Sequence, residues 1–268
     1  MTYADAVAYL DSFVNYERLH DVPAMRAVTL QRMRQLCRRL GDPHRRFRSI
    51  LVAGTNGKGS ICAFLYSMLR ESSLRAGVYT SPHIEHLRER IRVTPEGPAR
   101  SERAHGDDWI SEGECAALIE RIRPVVEQMR GVWPTQPPTY FEIMTALAFL
   151  HFAQRGVEIA VLEVGLGGRL DATNIVDQTV SIFGPIDVDH ADILGDDPAA
   201  IAAEKSAIIK APHQVMTVVQ SEPVEQVLRQ ACEAQGASLM VCGRDLTARI
   251  HQHDFDGLRL SITGLRGI

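Results

Sequence analysis

Residues 51–60 read LVAGTNGKGS: three glycines, a lysine and a serine behind an apolar lead-in. The lead-in, Ile50-Leu51-Val52-Ala53, is a short β-prone run, and beyond the loop Ile61, Phe64, Leu65, Met68 and Leu69 recur at helical spacing. The stretch therefore predicts a strand, a tight loop and a helix with those five residues as its apolar stripe. Gly54, Gly57 and Gly59 let the backbone come close to a ligand, and the first N–H groups of the helix have no partner within it. Such a turn suits an anion, and Lys58 adds a mobile positive charge fit for a phosphate. The strict nucleotide-loop pattern asks for a glycine where Val52 stands and a hydroxyl where Gly59 stands. On its own residues the loop reads either as a phosphate cradle or as a glycine-rich turn with a solvated lysine.

Outward from the loop, strands and helices alternate. Residues 29–41, TLQRMRQLCRRLG, carry one apolar stripe (Leu30, Met33, Leu36, Cys37, Leu40) and stop at Gly41, the second of two helices read in residues 4–40. A short strand ends at Ser81-Pro82. Residues 94–111 are rich in proline, glycine and charge and read as an exposed insertion. Helices follow at 112–130 and 139–156, then EIAVLEV (158–164), apolar on both faces like a central parallel strand. Residues 179–186 and 213–220 read as strands around a helix at 197–210. Residues 223–243 repeat helix then strand, and the chain closes on a strand-like run, LRLSITGLRGI, that suggests truncation. The alternation implies an α/β fold: a doubly wound, mostly parallel sheet with helices on both faces and ligands at the carboxyl ends of its strands.

Composition narrows the function. In 268 residues, 29 Lys+Arg stand against 33 Asp+Glu, and no basic block is interleaved with aromatics, so nucleic acid is not expected as a partner. The longest apolar stretch, FEIMTALAFLHF, is broken by Glu142 and Thr145 and is too short to span a bilayer. Five cysteines (37, 62, 115, 232, 242) lack paired metal spacing and fit buried thiols in a reducing cytoplasm.

Candidate chemistry lies at the strand ends. Glu163 closes the apolar run 158–164, where a carboxylate is costly unless bound to a cation or paired; Arg169 is the candidate ion-pair partner. Asp187, Asp189 and His190 follow the strand at 179–186, and a single histidine there reads as a ligand or as a hydrogen-bonded surface residue. Lys205 beside Glu204 reads by itself as a solvated ion pair, and Ser81-Pro82 as the start of a turn.

Taken together, VAGTNGKGS, YTSPH, YFEIMTALAF, LEVGLGGRLDATN, Asp189-His190 and IAAEKSAIIK occur in one order and spacing. That set resembles the folylpolyglutamate synthase and dihydrofolate synthase family, within the wider Mur ligase group. The resemblance runs from about residue 10 to the end of the chain. It implies the central ATP-binding domain of that group, filling residues 1–268, without the C-terminal domain that completes the glutamate site.

By that resemblance Gly54, Thr55, Asn56, Gly57, Lys58, Gly59 and Ser60 hold ATP phosphates. Ser81, Glu163, His190 and Lys205 hold two magnesium ions, with Lys205 carbamylated so that it presents oxygen to a metal. Lys58, Glu163, His190 and Lys205 carry the catalysis, and Leu30, Thr139, Phe141, Leu170 and Ala172 line the substrate side. The implied reaction phosphorylates the carboxylate of folate or dihydropteroate with ATP, and L-glutamate attacks the acyl phosphate to form an amide. A cytoplasmic monomer is expected. Where the family often reads FDLERM, this chain has VTLQRM, with Thr29 in place of an aspartate associated with pterin binding. A peptidoglycan Mur-type ligase domain and a non-catalytic nucleotide-binding remnant are the alternative readings.

Overall fold

The computed structural model describes residues 1–17, 29–95, 106–134, 136–188, 196–254 and 257–264. At its centre lies strand β1 (Arg48–Ala53), buried from Ser49 onward because both its faces are covered. With β2 (Ala76–Tyr79), β3 (Ile91–Val93), β4 (Ile159–Glu163), β5 (Val180–Phe183), β6 (Gln214–Val218) and β7 (Ser238–Cys242) it forms one sheet, in the order β3-β2-β4-β1-β5-β6-β7. All neighbours are parallel except the edge pair β2/β3. The chain leaves β1 toward β2 on one side and later passes from β4 to β5 on the other. The strand ends around β1 are therefore where a doubly wound sheet opens a ligand crevice.

The helices divide between the faces as the pleat dictates. Ile50, Val52, Val78 and Val161 point to one side and meet α3 (Lys58–Glu71), while Leu51, Ala53, Tyr79 and Leu162 point to the other. That second side packs against α1 (Tyr3–Asp11), α2 (Leu30–Arg39), α4 (Glu112–Val132) and α5 (Tyr140–Gln154). Helix α5 is buried on nearly every side and sits close on β2, so that a Cβ at Gly77 would stand 2.8 Å from the Phe152 ring. Helices α6 (Pro198–Ser206) and α7 (Glu222–Gln235) contribute Ile201, Ala202, Val224 and Leu228 to the same core.

The stripe expected on α2 is the observed one: Met33, Leu36, Cys37 and Leu40 are buried, Leu30 is half-buried, and Gly41 ends the helix at φ +85. The stripe expected on α3 needs correction. Cys62 and Tyr66 are its buried residues, with Ile61, Leu65 and Leu69 partly covered, whereas Phe64 and Met68 are 70% and 61% exposed. Helical spacing gave the period but placed the centre of the face one position off. The reading of 94–111 as an exposed insertion also needs limits. Residues 96–105 lie outside the described residues, and the segment's return is built into the sheet edge. Val93 N–H bonds Asp108 O and Ile110 N–H bonds Ile91 O, both at 2.9 Å, and Ile110 is buried. The strand-like end of the chain pairs as a hairpin of β8 (Thr247–Asp254) and β9 (Gly257–Thr263), exposed along its whole length.

Candidate nucleotide and metal site

The loop after β1 is anchored on the exit of β5. A Cβ at Gly54 would stand 3.2 Å from Gly184, so the two chains meet at paired glycines, and Gly54 adopts φ +148. Thr55 locks the junction: its N–H bonds Pro185 O at 2.8 Å. Its hydroxyl donates to Asp187 O at 2.8 Å and accepts from Asp187 N–H at 3.1 Å. Gly57, at φ +78, turns the chain into α3. Asn56, Gly57, Gly59 and Ser60 are left exposed at the helix N-terminus, where free N–H groups and the helix dipole favour an anion. The Lys58 ammonium folds over the loop and donates to Gly54 O and Thr55 O, each at 3.1 Å.

Parallel pairing sets Val52 beside Glu163, so the carboxylate ending β4 lies next to this loop. A Cβ on Gly59 would stand 3.8 Å from Glu163 Oε2. Ser81, at the exit of β2, donates its backbone N–H to the same oxygen at 3.1 Å. Burial pushes the Glu163 carboxyl above its usual range; the Ser81 N–H and Lys58 pull the other way, and Asp171 adds to the rise. The ion pair with Arg169 does not form, because Arg169 Nε bonds Glu204 Oε2 at 3.0 Å. Glu163 is thus a buried carboxylate at the carboxyl end of an interior strand, beside an anion cradle, a place suited to a hard cation.

Beyond Glu163 the chain makes a compact turn around Asp171, whose buried carboxylate accepts the N–H groups of Gly165, Leu166 and Thr173. The turn seats on the last turn of α6. A Cβ at Gly168 would stand 2.8 Å from Lys205 Cα, and Arg169 N–H bonds Glu204 O at 3.1 Å. Lys205 is 3% exposed, so the reading of a solvated Lys205–Glu204 pair is wrong: Glu204 turns out to Arg169 and Lys205 turns in. Asp187 is exposed, and Asp189 and His190 lie outside the described residues.

The expected substrate-side residues fall into two neighbouring groups. Phe141 is half-buried on the first turn of α5, 6.0 Å from the Tyr79 ring, and a Cβ at Gly165 would stand 2.6 Å from it. Leu170 (40% exposed) and buried Ala172 belong to the same turn. Leu30 opens α2, and Thr139 caps α5, its hydroxyl accepting Glu142 N–H while Glu142 accepts Thr139 N–H. Arg32 joins these two helix starts: its Nε bonds the Glu142 carboxylate at 3.0 and 3.1 Å in a buried pair.

The sequence pattern does not show this pair: Glu142 reads there as a break in an apolar run, although Thr139-x-x-Glu142 carries the capping-box signature. Nor does it show Arg90. That buried guanidinium bonds both carboxylate oxygens of Glu17 (2.8 and 2.6 Å) and His83 Nδ1 (2.8 Å), and lies over the Tyr140 ring. No local pattern announces a buried arginine whose partner is 73 residues away.

Residues 115–261, more than half of the chain, match the Mur ligase middle domain. The chain belongs to the Mur ligase family. Within the family this Mur ligase domain stands with the folylpolyglutamate and dihydrofolate synthases. It is 42% identical over 209 residues to a dihydrofolate synthase/folylpolyglutamate synthase of Bacillus subtilis, covering 78% of this chain and 46% of the relative. It superposes on the folylpolyglutamate synthase of Thermotoga maritima with a TM-score of 0.81 at 30% identity, over 98% of this chain and 55% of the other. A solved FPGS–AMPPCP–folate complex gives 0.82 at 31% identity, covering 98% and 59%. The domain spans about half the length of the curated relatives it matches. Its described residues include no helix long and apolar enough to cross a membrane, and no group of three or more His, Cys, Asp or Glu side chains placed so that they could hold a metal ion.

Proposed function

We propose that this domain binds MgATP for a ligase that joins L-glutamate to the carboxylate of folate or dihydropteroate through an acyl phosphate. The observation that carries the reading is the meeting of the exposed glycine loop at the start of α3 with Glu163 at the end of the adjacent strand. The loop's N–H groups and Lys58 would hold the phosphates. The buried oxygen of Glu163, with the Ser81 hydroxyl, would take one of two magnesium ions, with His190 at the second. Magnesium would neutralise phosphate charge during transfer.

Lys205 would join this set as a carbamate formed from carbon dioxide, which replaces a buried cation by an oxygen donor. Its 3% exposure, where the turn after Glu163 meets the end of α6 at Gly168, supports a place for Lys205 within this site rather than in solvent. Phe141, Leu170 and Ala172, with Leu30 and Thr139 alongside, would face the pterin-bearing substrate. Such a reaction requires no protein nucleophile; the site would align ATP, carboxylate and amine and stabilise charge as the acyl phosphate forms and is attacked. The folate ligases among its relatives, including one solved with AMPPCP and folate, favour this reading over a peptidoglycan substrate. The five thiols, all unpaired and four of them buried, fit a cytoplasmic enzyme, and a monomer is the expected state.

Calorimetry tests the loop. Lys58→Ala should weaken ATP binding in the presence of magnesium by tenfold or more, roughly the loss of one charge-assisted contact. Unchanged affinity would remove the phosphate reading.

A further inference from the structure

We propose that Asn174 is a positioning residue that fixes the last turn of α6, and with it Lys205, against the turn that follows Glu163. The inference rests on the reading above that Glu163 and Lys205 serve one metal–nucleotide site.

Asn174 is 3% exposed and stands where three pieces of chain converge. Its Nδ2 donates to Arg169 O at 3.2 Å, in the turn after β4, and reaches Ala207 O at 3.5 Å, just past the end of α6. Its own carbonyl accepts from Lys210 Nζ at 2.9 Å. One amide thus ties the turn to the helix, while Gly168 lets the two backbones touch directly beside Lys205. Asp171 makes the intervening residues a stiff hoop by gathering three of their N–H groups. Displacement at Asn174 is therefore passed to Lys205 rather than absorbed.

The Asn174 Oδ1 atom is buried with no hydrogen-bond partner. A residue kept only to fill space would not carry that cost, because an apolar side chain of similar size leaves no acceptor unsatisfied. What distinguishes asparagine here is its donor.

The test is calorimetry of ATP binding to the purified 268-residue chain, with and without magnesium, alongside thermal melting. Asn174→Asp keeps the shape but turns an oxygen toward the Arg169 and Ala207 carbonyls. Gly168→Ala keeps every hydrogen-bonding group but forces a Cβ against Lys205. In both variants metal-free ATP affinity should stay near wild type, since the loop at 54–60 is untouched. The gain on adding magnesium should fall roughly tenfold or more, the usual effect of losing a residue that orients metal ligands. An undiminished magnesium gain in the folded variants overturns the proposal. So does a parallel fall of both affinities with Tm, which marks a purely structural role. If Asn174→Asp does not fold, Gly168→Ala decides. A wild-type chain whose ATP binding ignores magnesium overturns the site reading itself, and the inference with it.

Discussion

Replacing Arg32 by methionine isolates the buried pair that joins the starts of α2 and α5. Methionine keeps much of the aliphatic volume, so the change is mainly one of charge. The two side chains are 7% and 4% exposed and bond at 3.0 Å, and Glu142 would be left with the Thr139 N–H as its remaining partner. Breaking such a pair costs about 3–5 kcal/mol, and a domain of this size loses roughly 2–4 °C per kcal/mol, so Tm should fall by roughly 10 °C at pH 7.5. Burial already holds the Glu142 carboxyl above its usual range, and Arg32 pulls it back down. Without Arg32 the folded value rises further above the unfolded one. The variant's stability is then present at low pH and is lost as pH rises through that raised value. The deficit against wild type should therefore be clearly smaller at pH 5 than at pH 7.5. Arg32→Met with Glu142→Gln should recover most of the loss, because glutamine can still serve the cap of Thr139. A fall below about 2 °C at pH 7.5, under 1 kcal/mol by the same conversion, would refute the reasoning, as would a deficit of equal size at both pH values.

Glu163→Gln should raise Tm in the absence of nucleotide, and more at pH 8 than at pH 5. The folded carboxyl is raised, so its ionisation costs stability as pH climbs; calorimetric melting across that range checks the sign. The same variant should lose the magnesium-dependent part of ATP affinity. Gly77→Ala should destabilise by roughly 1–3 kcal/mol through overpacking on Phe152. Gly113→Ala, in a helix and facing open space, should stabilise by about 0.5 kcal/mol; a pair of denaturant titrations compares them. Lys58→Ala should leave Tm within about 1 °C, since its two hydrogen bonds go to loop carbonyls at a partly exposed site.

The sheet was legible because each parallel strand is written locally: EIAVLEV is apolar on both faces and sits between two neighbours, as such a run must. The loop at 54–60 was legible for the same reason, its glycines, lysine and helix being contiguous. What the sequence hid is what long-range contact decides. The face that α3 buries depends on how the helix is rolled on the sheet, and its period cannot tell Phe64 from Tyr66. Lys205 and Glu204 look like an ordinary surface pair until Gly168 brings another turn onto the helix and sends one side chain inward and the other out. Likewise Glu142 and Arg32 are 110 residues apart, and only the packing of α2 on α5 makes them partners.

The antiparallel edge of the sheet has an engineering consequence. Because Val93 and Ile91 are laddered to Asp108 and Ile110, the ends of the connection between them are clamped side by side whatever its content. For a connection closed in this way, doubling its length costs only about 0.6 kcal/mol of loop entropy. The clamped ends, at Thr94 and Gly106, are thus a natural grafting point. A tag or reporter peptide inserted there should leave melting temperature and ATP affinity nearly unchanged, and would give the domain a handle on the sheet edge away from the phosphate loop.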